Sequence, residues 1–335
     1  MKHSGSIALL LAVPLAGLAQ TAVFSDNFGN GSTFNGVSTP GGTPTASSTS
    51  YDFSSSKTGV ESLSSGNLTF GLSSATTSGF VEAQAVFTST PVVLATVNDY
   101  VDLTYTFTDT ANLLAGGTSS GIYTGLYNSG GATPVAGTAG VSGNAVTLNA
   151  NAGSPNATGN AAGWQGIAGV ISGSGGTSEA YTRPVQSGAG TTSANQDLIG
   201  NGFGGGTYVN PGGAIVGTSA ATVALTTASQ YTIDYRYTLT AAGQLTVSQN
   251  LYSGTTASGT PLSTVTGATT TTLNDIDSLA IAIRNAGTSL KPQIDINDIE
   301  VTDYIQPVPE PSIFALAGIG ALGLVWYRRQ VRRPA

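Results

Sequence analysis

Carboxylates are the side chains of this sequence best suited to do chemistry. Cysteine is absent, and the only histidine is His3. A Ser-His-Asp triad therefore has no base in the body of the chain, and metal sites built from cysteine or histidine are excluded. Glycoside hydrolysis, in contrast, needs only two carboxyl groups. The candidates for such a pair lie in strand-like stretches and are Glu82, Asp102, Glu179, Asp234 and Glu300.

Two acid-dense segments suggest calcium binding as a second chemistry. Asp275 and Asp277 lie in an Asn-Asp-Ile-Asp segment, and Asp295 and Asp298 lie in an Asp-Ile-Asn-Asp segment. Calcium prefers carboxylate and carbonyl oxygens, so these four residues are the metal candidates and calcium is the single cofactor hypothesis. The alternative is structural, because Asp and Asn also form turns by bonding their own backbone. No complete calcium loop motif is present.

Three aromatic residues in loop-like stretches, Trp164, Tyr181 and Tyr208, are candidates for glycan binding. A flat ring can pack against the apolar C–H face of a sugar, while a phenol or indole group still forms hydrogen bonds. The alternative is that these rings cap the hydrophobic core.

The elements that must position these residues are β-strands. In Val101–Thr108 and in Tyr231–Leu239, apolar residues alternate with polar ones. A period of two is typical of antiparallel strands with one buried face. Ala241-Ala242-Gly243 predicts the turn of a hairpin that returns to Tyr252, because glycine accepts a positive φ. The sequence therefore predicts an all-β, antiparallel two-sheet sandwich of about ten to fourteen short strands.

The predicted closing strand changes phase midway. Further predicted strands are Asn67–Leu72, Ile122–Tyr127, Thr222–Leu225, Ser278–Arg284 and Gln293–Tyr304. In the last of these, Ile294 and Ile296 share one phase, whereas Ile299 and Val301 share the other. A β-bulge near residues 297–298 would bring both pairs to the same face.

Both ends of the sequence differ from the β-rich middle. Met1–Ala19 has a basic start, an apolar stretch and small residues before Gln20, which is typical of a secretory signal peptide. The predicted organisation is a signal peptide with a helical segment at 1–19, a β-sandwich at 20–306 and a C-terminal sorting segment at 307–335.

The C-terminal segment has three consecutive parts. A short motif consists of Val308, Pro309, Glu310 and Pro311, and a cluster of arginines follows it at Arg328, Arg329, Arg332 and Arg333. Between them lies an uncharged apolar run from Ile313 to Tyr327. As a helix it would span about 22 Å, which is short against a bilayer core of about 30 Å. The sequence predicts a short transmembrane helix whose arginines stay on the cytoplasmic side.

Together these three parts resemble the PEP-CTERM sorting signal of Gram-negative bacteria. The resemblance implies that an exosortase-type enzyme recognises and processes the tail, and that the membrane anchor is transient. It also implies that the mature protein is exported to the cell envelope, the cell surface or an extracellular matrix.

The strand pattern is similar to that of concanavalin-A-like or jelly-roll sandwiches. This second resemblance depends on Thr104–Thr108 leading to Gly121–Tyr123, and on the closing stretch Ile294–Val301. Glycosidases with that fold carry two glutamates and an aspartate closely spaced on one strand. Here Asp298-Ile299-Glu300 supplies only two acids, so the resemblance does not extend to that catalytic motif.

Charge narrows the range of partners. Between Gln20 and Pro309 there are sixteen acids and five bases, a formal charge of −11. Nucleic acid needs a basic surface and is therefore excluded as a partner. We expect an exported, non-catalytic surface or matrix protein with exopolysaccharide as its hypothesised ligand. The alternatives are a carboxylate-dependent glycan hydrolase or lyase, and a structural adhesin that associates with itself.

Overall fold

The chain divides into two units, one formed by Thr21–Ile305 and the other by Met1–Gln20 with Gln306–Ala335. The computed structural model describes residues 20–29, 37–38, 49–50, 52–55, 59–64, 66–72, 76–111, 113–115, 120–130, 164–173, 176–183, 215–219, 223–270, 273–306, 320–324 and 326–328. Residues 320–324 and 326–328 are helical and exposed. In the described part of the chain, no helix has both the length and the apolar character needed to cross a membrane. The predicted signal helix lies outside the described residues.

The unit Thr21–Ile305 is built from β-strands. Its strands are β1 (Thr21–Asp26), β2 (Val37–Ser38), β3 (Thr49–Ser50), β4 (Asp52–Ser55), β5 (Gly59–Ser64), β6 (Asn67–Leu72), β7 (Thr76–Val86), β8 (Val92–Val93), β9 (Tyr100–Ala111), β10 (Gly121–Asn128), β11 (Gln165–Ser172), β12 (Ser178–Arg183), β13 (Ile215–Ser219), β14 (Gln230–Ala241), β15 (Gln244–Ser253), β16 (Ser263–Thr270), β17 (Asp275–Ile276), β18 (Ser278–Leu290) and β19 (Gln293–Tyr304). The described residues thus hold more strands than the ten to fourteen expected, because short pairs such as β8–β17 have too few residues to show a period.

Fifteen of these strands form one antiparallel sheet that folds over on itself. Its order is β4-β7-β18-β10-β11-β12-β13-β16-β15-β14-β9-β19-β6-β5, with β1 beside β19. The short strand β13 joins β12 to β16 and connects two layers. The first layer contains β16, β15, β14, β9, β19 and β6, and the second contains β12, β11, β10, β18 and β7.

Side chains between the layers show that the two halves pack face to face. The Tyr105 hydroxyl of β9 lies 2.7 Å from the Thr124 hydroxyl of β10. The Tyr237 hydroxyl donates to the Leu126 carbonyl and accepts from the Ile167 amide, both at 2.8 Å. Such bonds satisfy phenols that would otherwise be costly to bury. The predicted all-β antiparallel sandwich is therefore confirmed.

The main core lies between the layers and follows the predicted alternation. On β9 the residues Val101, Leu103, Tyr105 and Phe107 are fully buried, and on β14 their counterparts include Ile233 and Tyr235. Apolar residues of β10, β11 and β18 close the core from the other side. Burial on this scale supplies the main stabilisation of a domain without disulfides.

Two local predictions are confirmed and one is wrong. β14 and β15 form the predicted hairpin, with Gly243 at a φ of 70° in its turn. The register of β19 against β9 shifts between Ile296 and Asp298, where the bulge was expected. The predicted strand at Thr222–Leu225 is not observed, since residues 223–226 are not in a strand. Val223 is nevertheless buried, so its apolar pattern reflects core contact without strand pairing.

Candidate functional site

The outward side of the first layer presents a nearly complete grid of polar side chains. We call it the outer polar face and define it by four rows, of which the first crosses β15, β14, β9 and β19 and the other three also cross β16. The rows are Tyr252, Thr232, Thr106 and Asp298; Thr264, Asn250, Asp234, Thr104 and Glu300; Thr266, Ser248, Arg236, Asp102 and Thr302; and Ala268, Thr246, Thr238, Tyr100 and Tyr304. Neighbouring strands lie about 4.8 Å apart and successive rows about 6.8 Å apart.

Arg236 organises the centre of this face. Its Nη2 donates to Asp102 Oδ2 at 2.5 Å across the β14–β9 pair. Its guanidinium carbon also lies 4.4 Å from the centre of the Tyr100 ring, within the range of a cation–π contact. One guanidinium thus fixes a carboxylate and an aromatic ring of the neighbouring strand.

Asp102 and Asp234 form a carboxyl pair beside that arginine. Asp234 acts on the carboxyl group of Asp102 through a side-chain hydrogen bond and through its charge. The Oδ1 atom of each aspartate is buried and has no N–H or O–H donor against it. Burial, followed by the hydrogen bond and charge of Asp234, raises the pKa of Asp102 to about 7, against the opposing effect of Arg236. Asp102 therefore keeps its proton to a higher pH than an ordinary aspartate does.

Hydrogen bonds extend this network sideways along the second row. The Thr264 hydroxyl donates to Asn250 Oδ1 at 3.0 Å, and Asn250 Nδ2 donates to Asp234 Oδ2 at 3.3 Å. Cross-strand bonds of this kind stabilise a sheet and hold its side chains in fixed positions. The hydroxyl and amide groups of the face are therefore presented in an ordered array.

Half-exposed tyrosines lie at opposite ends of the face. Tyr100 and Tyr304 stack, with ring centres 5.2 Å apart and an interplanar angle of 8°. Tyr252 lies in the first row, three rows away from this stack, which corresponds to about 20 Å along the strands. Each of the three rings is partly accessible to solvent. The face thus combines flat apolar rings with rows of hydroxyl groups between them.

The structure places Asp275 and Asp277 in and directly after β17, and Asp295 and Asp298 on β19, opposite Thr108 and Thr106 of β9. Asp277 is buried and accepts hydrogen bonds from the Ser129 amide at 2.8 Å, the Ser129 hydroxyl at 2.6 Å and the Ser278 hydroxyl at 2.8 Å. Burial raises its pKa. Asp295 accepts a bond from the Thr69 hydroxyl. Asp277 thus has the structural role of joining β18 to the end of β10.

The other two predicted ligands lie on different strands. Asp275 lies in β17 opposite Val93, and Asp298 lies on the outer polar face. Burial, then the charges of Glu300 and Asp26, raise the pKa of Asp298. In the described ranges, no group of three or more acidic or histidine side chains could hold a metal ion.

Two of the three aromatic residues predicted to bind glycan are buried. Trp164 and Tyr181 are only 6% and 9% exposed, and both belong to a second apolar cluster with Tyr123 and Tyr127. This cluster lies on the outward side of the second layer, with Trp164 immediately before β11 and Tyr181 within β12. Trp164 is further held by a bond from Arg183 to its carbonyl. These two rings are therefore buried and cannot present a flat exposed surface; Tyr208 lies outside the described residues.

Among the five acids proposed as a catalytic pair, the structure brings only Asp102 and Asp234 into direct contact. Glu82 is fully buried on β7 and accepts a bond from Gln84, and Glu179 is half-buried on β12. Glu300 lies in the row of Asp234, on the far side of β9.

Sequence reasoning missed Tyr100, Tyr252 and Tyr304. Each lies in the outward phase of its strand: Tyr100 precedes the inward Val101, Tyr252 follows the inward Leu251, and Tyr304 shares the outward phase with Thr302. Large aromatic residues among outward threonines are the signal that could have found them, because the outward phase of a solvated strand is otherwise polar.

Comparison with known proteins defines the C-terminal tail. Residues 307–330 match the family model of the PEP-CTERM protein-sorting motif. The chain carries this sorting motif at its C-terminus. The match includes the predicted motif Val308–Pro311, which lies outside the described residues, and the first arginines of the cluster. Arg328 is helical and exposed, whereas the other three arginines lie outside the described residues. The motif marks an exported protein that is processed by an exosortase and sorted to the cell envelope.

Solved structures similar to this chain include lectins. Peanut lectin shares 11% identity at a TM-score of 0.37, covering 82% of this chain and 97% of the lectin. The exoplasmic/lumenal domain of VIP36, in a Ca2+/Man2-bound form, shares 12% identity at a TM-score of 0.40, covering 86% of this chain and 90% of that domain. Lotus tetragonolobus seed lectin shares 11% identity at a TM-score of 0.37, covering 83% of this chain and 100% of the lectin. No curated protein matches the chain in sequence.

Proposed function

We propose that the exported protein is a non-catalytic component of the cell surface or extracellular matrix that binds exopolysaccharide through the outer polar face. The observation that carries the proposal is the grouping, on one ordered sheet face, of half-exposed tyrosines with rows of hydroxyl and amide groups. The sorting motif supports it, because it delivers the protein to the place where such polymers are found.

The chemistry of the face matches that of a polysaccharide. Sugar rings have apolar C–H faces and equatorial or axial hydroxyl groups, so they pair with both aromatic rings and hydrogen-bonding side chains. Each hydrogen bond contributes only about 0.5–1.5 kcal/mol after exchange with water. An extended face that holds many such groups in place therefore suits a long polymer better than a single sugar.

The geometry of the carboxyl pair supports a non-catalytic role. Retaining glycosidases hold their two carboxyl groups about 5–5.5 Å apart, and inverting enzymes hold them farther apart, so that substrate and water fit between them. Asp102 and Asp234 are in direct hydrogen-bond contact, which leaves no room for a glycosidic bond. Arg236 further neutralises Asp102 from the other side. The pair therefore serves to organise the face.

The test measures binding and hydrolysis on the same polymer. Protein recovered from the cells that produce it is incubated with the extracellular polysaccharide of the same cells, once in a buffer with calcium and once in a buffer with chelator. We expect retention in both buffers and no new reducing ends, because the hydroxyl and tyrosine groups bind without a metal. Release of reducing ends that disappears in a Glu300→Gln or Asp102→Asn variant would favour the hydrolase alternative. Retention lost in chelator would instead assign binding to calcium held by Asp275, Asp277, Asp295 or Asp298.

The same experiment also distinguishes the proposal from the alternative of a self-associating adhesin. Absence of retention in both buffers would contradict the proposal. If the protein then sediments as larger species with rising concentration, the self-associating adhesin becomes the better hypothesis.

A further inference from the structure

We infer that the outer polar face selects uncharged polysaccharide and excludes anionic polysaccharide such as uronate or sulfated polymers. The inference rests on the proposed function and names the ligand class of the same face. It follows from how the charged groups of the face are arranged, and from which groups remain available to a ligand.

The only cation in the four rows of the face is already engaged. Arg236 is paired with Asp102, lies over the Tyr100 ring and interacts with the charge of Asp234. A guanidinium in this position cannot offer an uncompensated positive charge to a carboxylate or sulfate group. Recognition of an anionic polymer, which depends on free basic side chains, therefore has no partner on this face.

Negative charge is concentrated on the adjacent strand, β19. Glu300 is exposed and lies in the second row, and Asp298 lies beside it in the first row. Asp298 is influenced by the negative charges of both Glu300 and Asp26. An anionic polymer laid across the rows would bring further like charges against them, which opposes binding most strongly at low salt.

The groups that remain are uncharged. Between the tyrosines at the two ends lie the hydroxyls of Thr104, Thr106, Ser248 and Thr266, all at least partly accessible. Hydroxyl groups donate and accept hydrogen bonds equally, as the hydroxyls of a sugar do. An uncharged polyhydroxylated chain can therefore satisfy the face without the cost of removing ions from water.

The experiment uses two fractions of the extracellular polysaccharide of producing cells, separated by anion exchange into uncharged and anionic polymer. Protein recovered from the same cells is tested for retention on each immobilised fraction, at low and at high salt. We expect retention on the uncharged fraction that does not fall with salt, and little retention on the anionic fraction at low salt.

Charge-neutral variants test the cause of this selection. Asp298→Asn and Glu300→Gln should each raise retention on the anionic fraction about two- to fivefold at low salt, the range expected for an exposed charge interaction. Glu179→Gln is the matched control, because it removes one half-buried carboxylate from the second layer. It should leave retention on the anionic fraction unchanged.

The outcomes separate this inference from the proposed function. Preferential retention on the anionic fraction, or retention on the uncharged fraction that disappears at high salt, would overturn the ligand class while leaving polysaccharide binding in place. Equal retention on both fractions would also overturn it. Absence of retention on either fraction would overturn the proposed function, and the inference with it.

Discussion

Asp102 is a buried carboxyl group in the middle of the outer polar face, next to Asp234 and paired with Arg236. Its pKa rises from 3.8 to about 7, mainly because it is buried. Isolated buried carboxylates are costly, and retention of the Asp102 proton together with the pairing to Arg236 reduces that cost. Removing the arginine alone would leave both acids without a counter-charge, so the three side chains act as a unit.

The raised pKa of Asp102 makes stability depend on pH. Because the folded state binds this proton more tightly than the unfolded state, the contribution is complete below the unfolded pKa near 4 and is lost as pH rises to about 7. We expect the free energy of unfolding to fall over that interval, with Asp102 contributing at most about 4 kcal/mol. Denaturant titrations across this pH range would measure it.

The Asp102→Asn variant should flatten this part of the stability profile, because asparagine cannot release a proton. Asp275→Asn, a half-exposed residue outside the network, is the control and should retain the wild-type slope. An unchanged slope in Asp102→Asn would show that the proton is not held there.

At the scale of the element, the phase of a residue in its strand decides whether its side chain faces the core or the solvent. The sequence predicts β9, β14, β15 and β19 well, because one face of each is buried and the other is solvated, so the period of two is clear. Even the bulge of β19 could be predicted, because the apolar pair Ile294 and Ile296 and the apolar pair Ile299 and Val301 have opposite phases. The carboxylates that point outward on these strands were identified for the same reason.

The strands of the second layer were harder to interpret. On β10 and on β11 seven consecutive residues are buried, because apolar residues lie on both faces of these strands. A strand buried on both sides shows no alternation, so the sequence cannot reveal where its aromatic neighbours point. Trp164 and Tyr181 were therefore expected on the surface although they lie in the second apolar cluster.

Strand β14 also ties the two layers together through Tyr237. Its hydroxyl bonds both Leu126 and Ile167 of the second layer. In the Tyr237→Phe variant these backbone groups lose their partner inside the sandwich. We expect a loss of about 1–3 kcal/mol in the free energy of unfolding and no change in polysaccharide retention.

Chemical denaturation would check the effect of Tyr237→Phe. Its control is Tyr252→Phe, on the outer polar face, which should change stability by no more than about 0.5 kcal/mol. Equal stability of Tyr237→Phe and wild type would mean that the hydroxyl does not join the layers.

At the scale of the whole molecule, the sorting signal is separate in sequence from the proposed binding surface. The sorting motif occupies residues 307–330, whereas the outer polar face lies within Thr21–Ile305. Replacing Pro309-Glu310-Pro311 with alanines should leave the β-unit folded but cause the unprocessed protein to accumulate in the membrane fraction. Cell fractionation with mass spectrometry of the C-terminus would show this. Normal processing of the variant would mean that the enzyme recognises a different part of the tail.

The central claim is that the tyrosines of the outer polar face bind the polymer, and its most direct test is the retention of a Tyr252→Ala/Tyr304→Ala double variant on the extracellular polysaccharide of producing cells. Leu262→Ala is the matched control, because it truncates an exposed large apolar side chain outside the face. Thermal unfolding confirms that both variants remain folded. We predict at least about tenfold weaker retention of the double variant, equivalent to about 1.4 kcal/mol, and wild-type retention of the control. Wild-type retention of a folded double variant would contradict the claim.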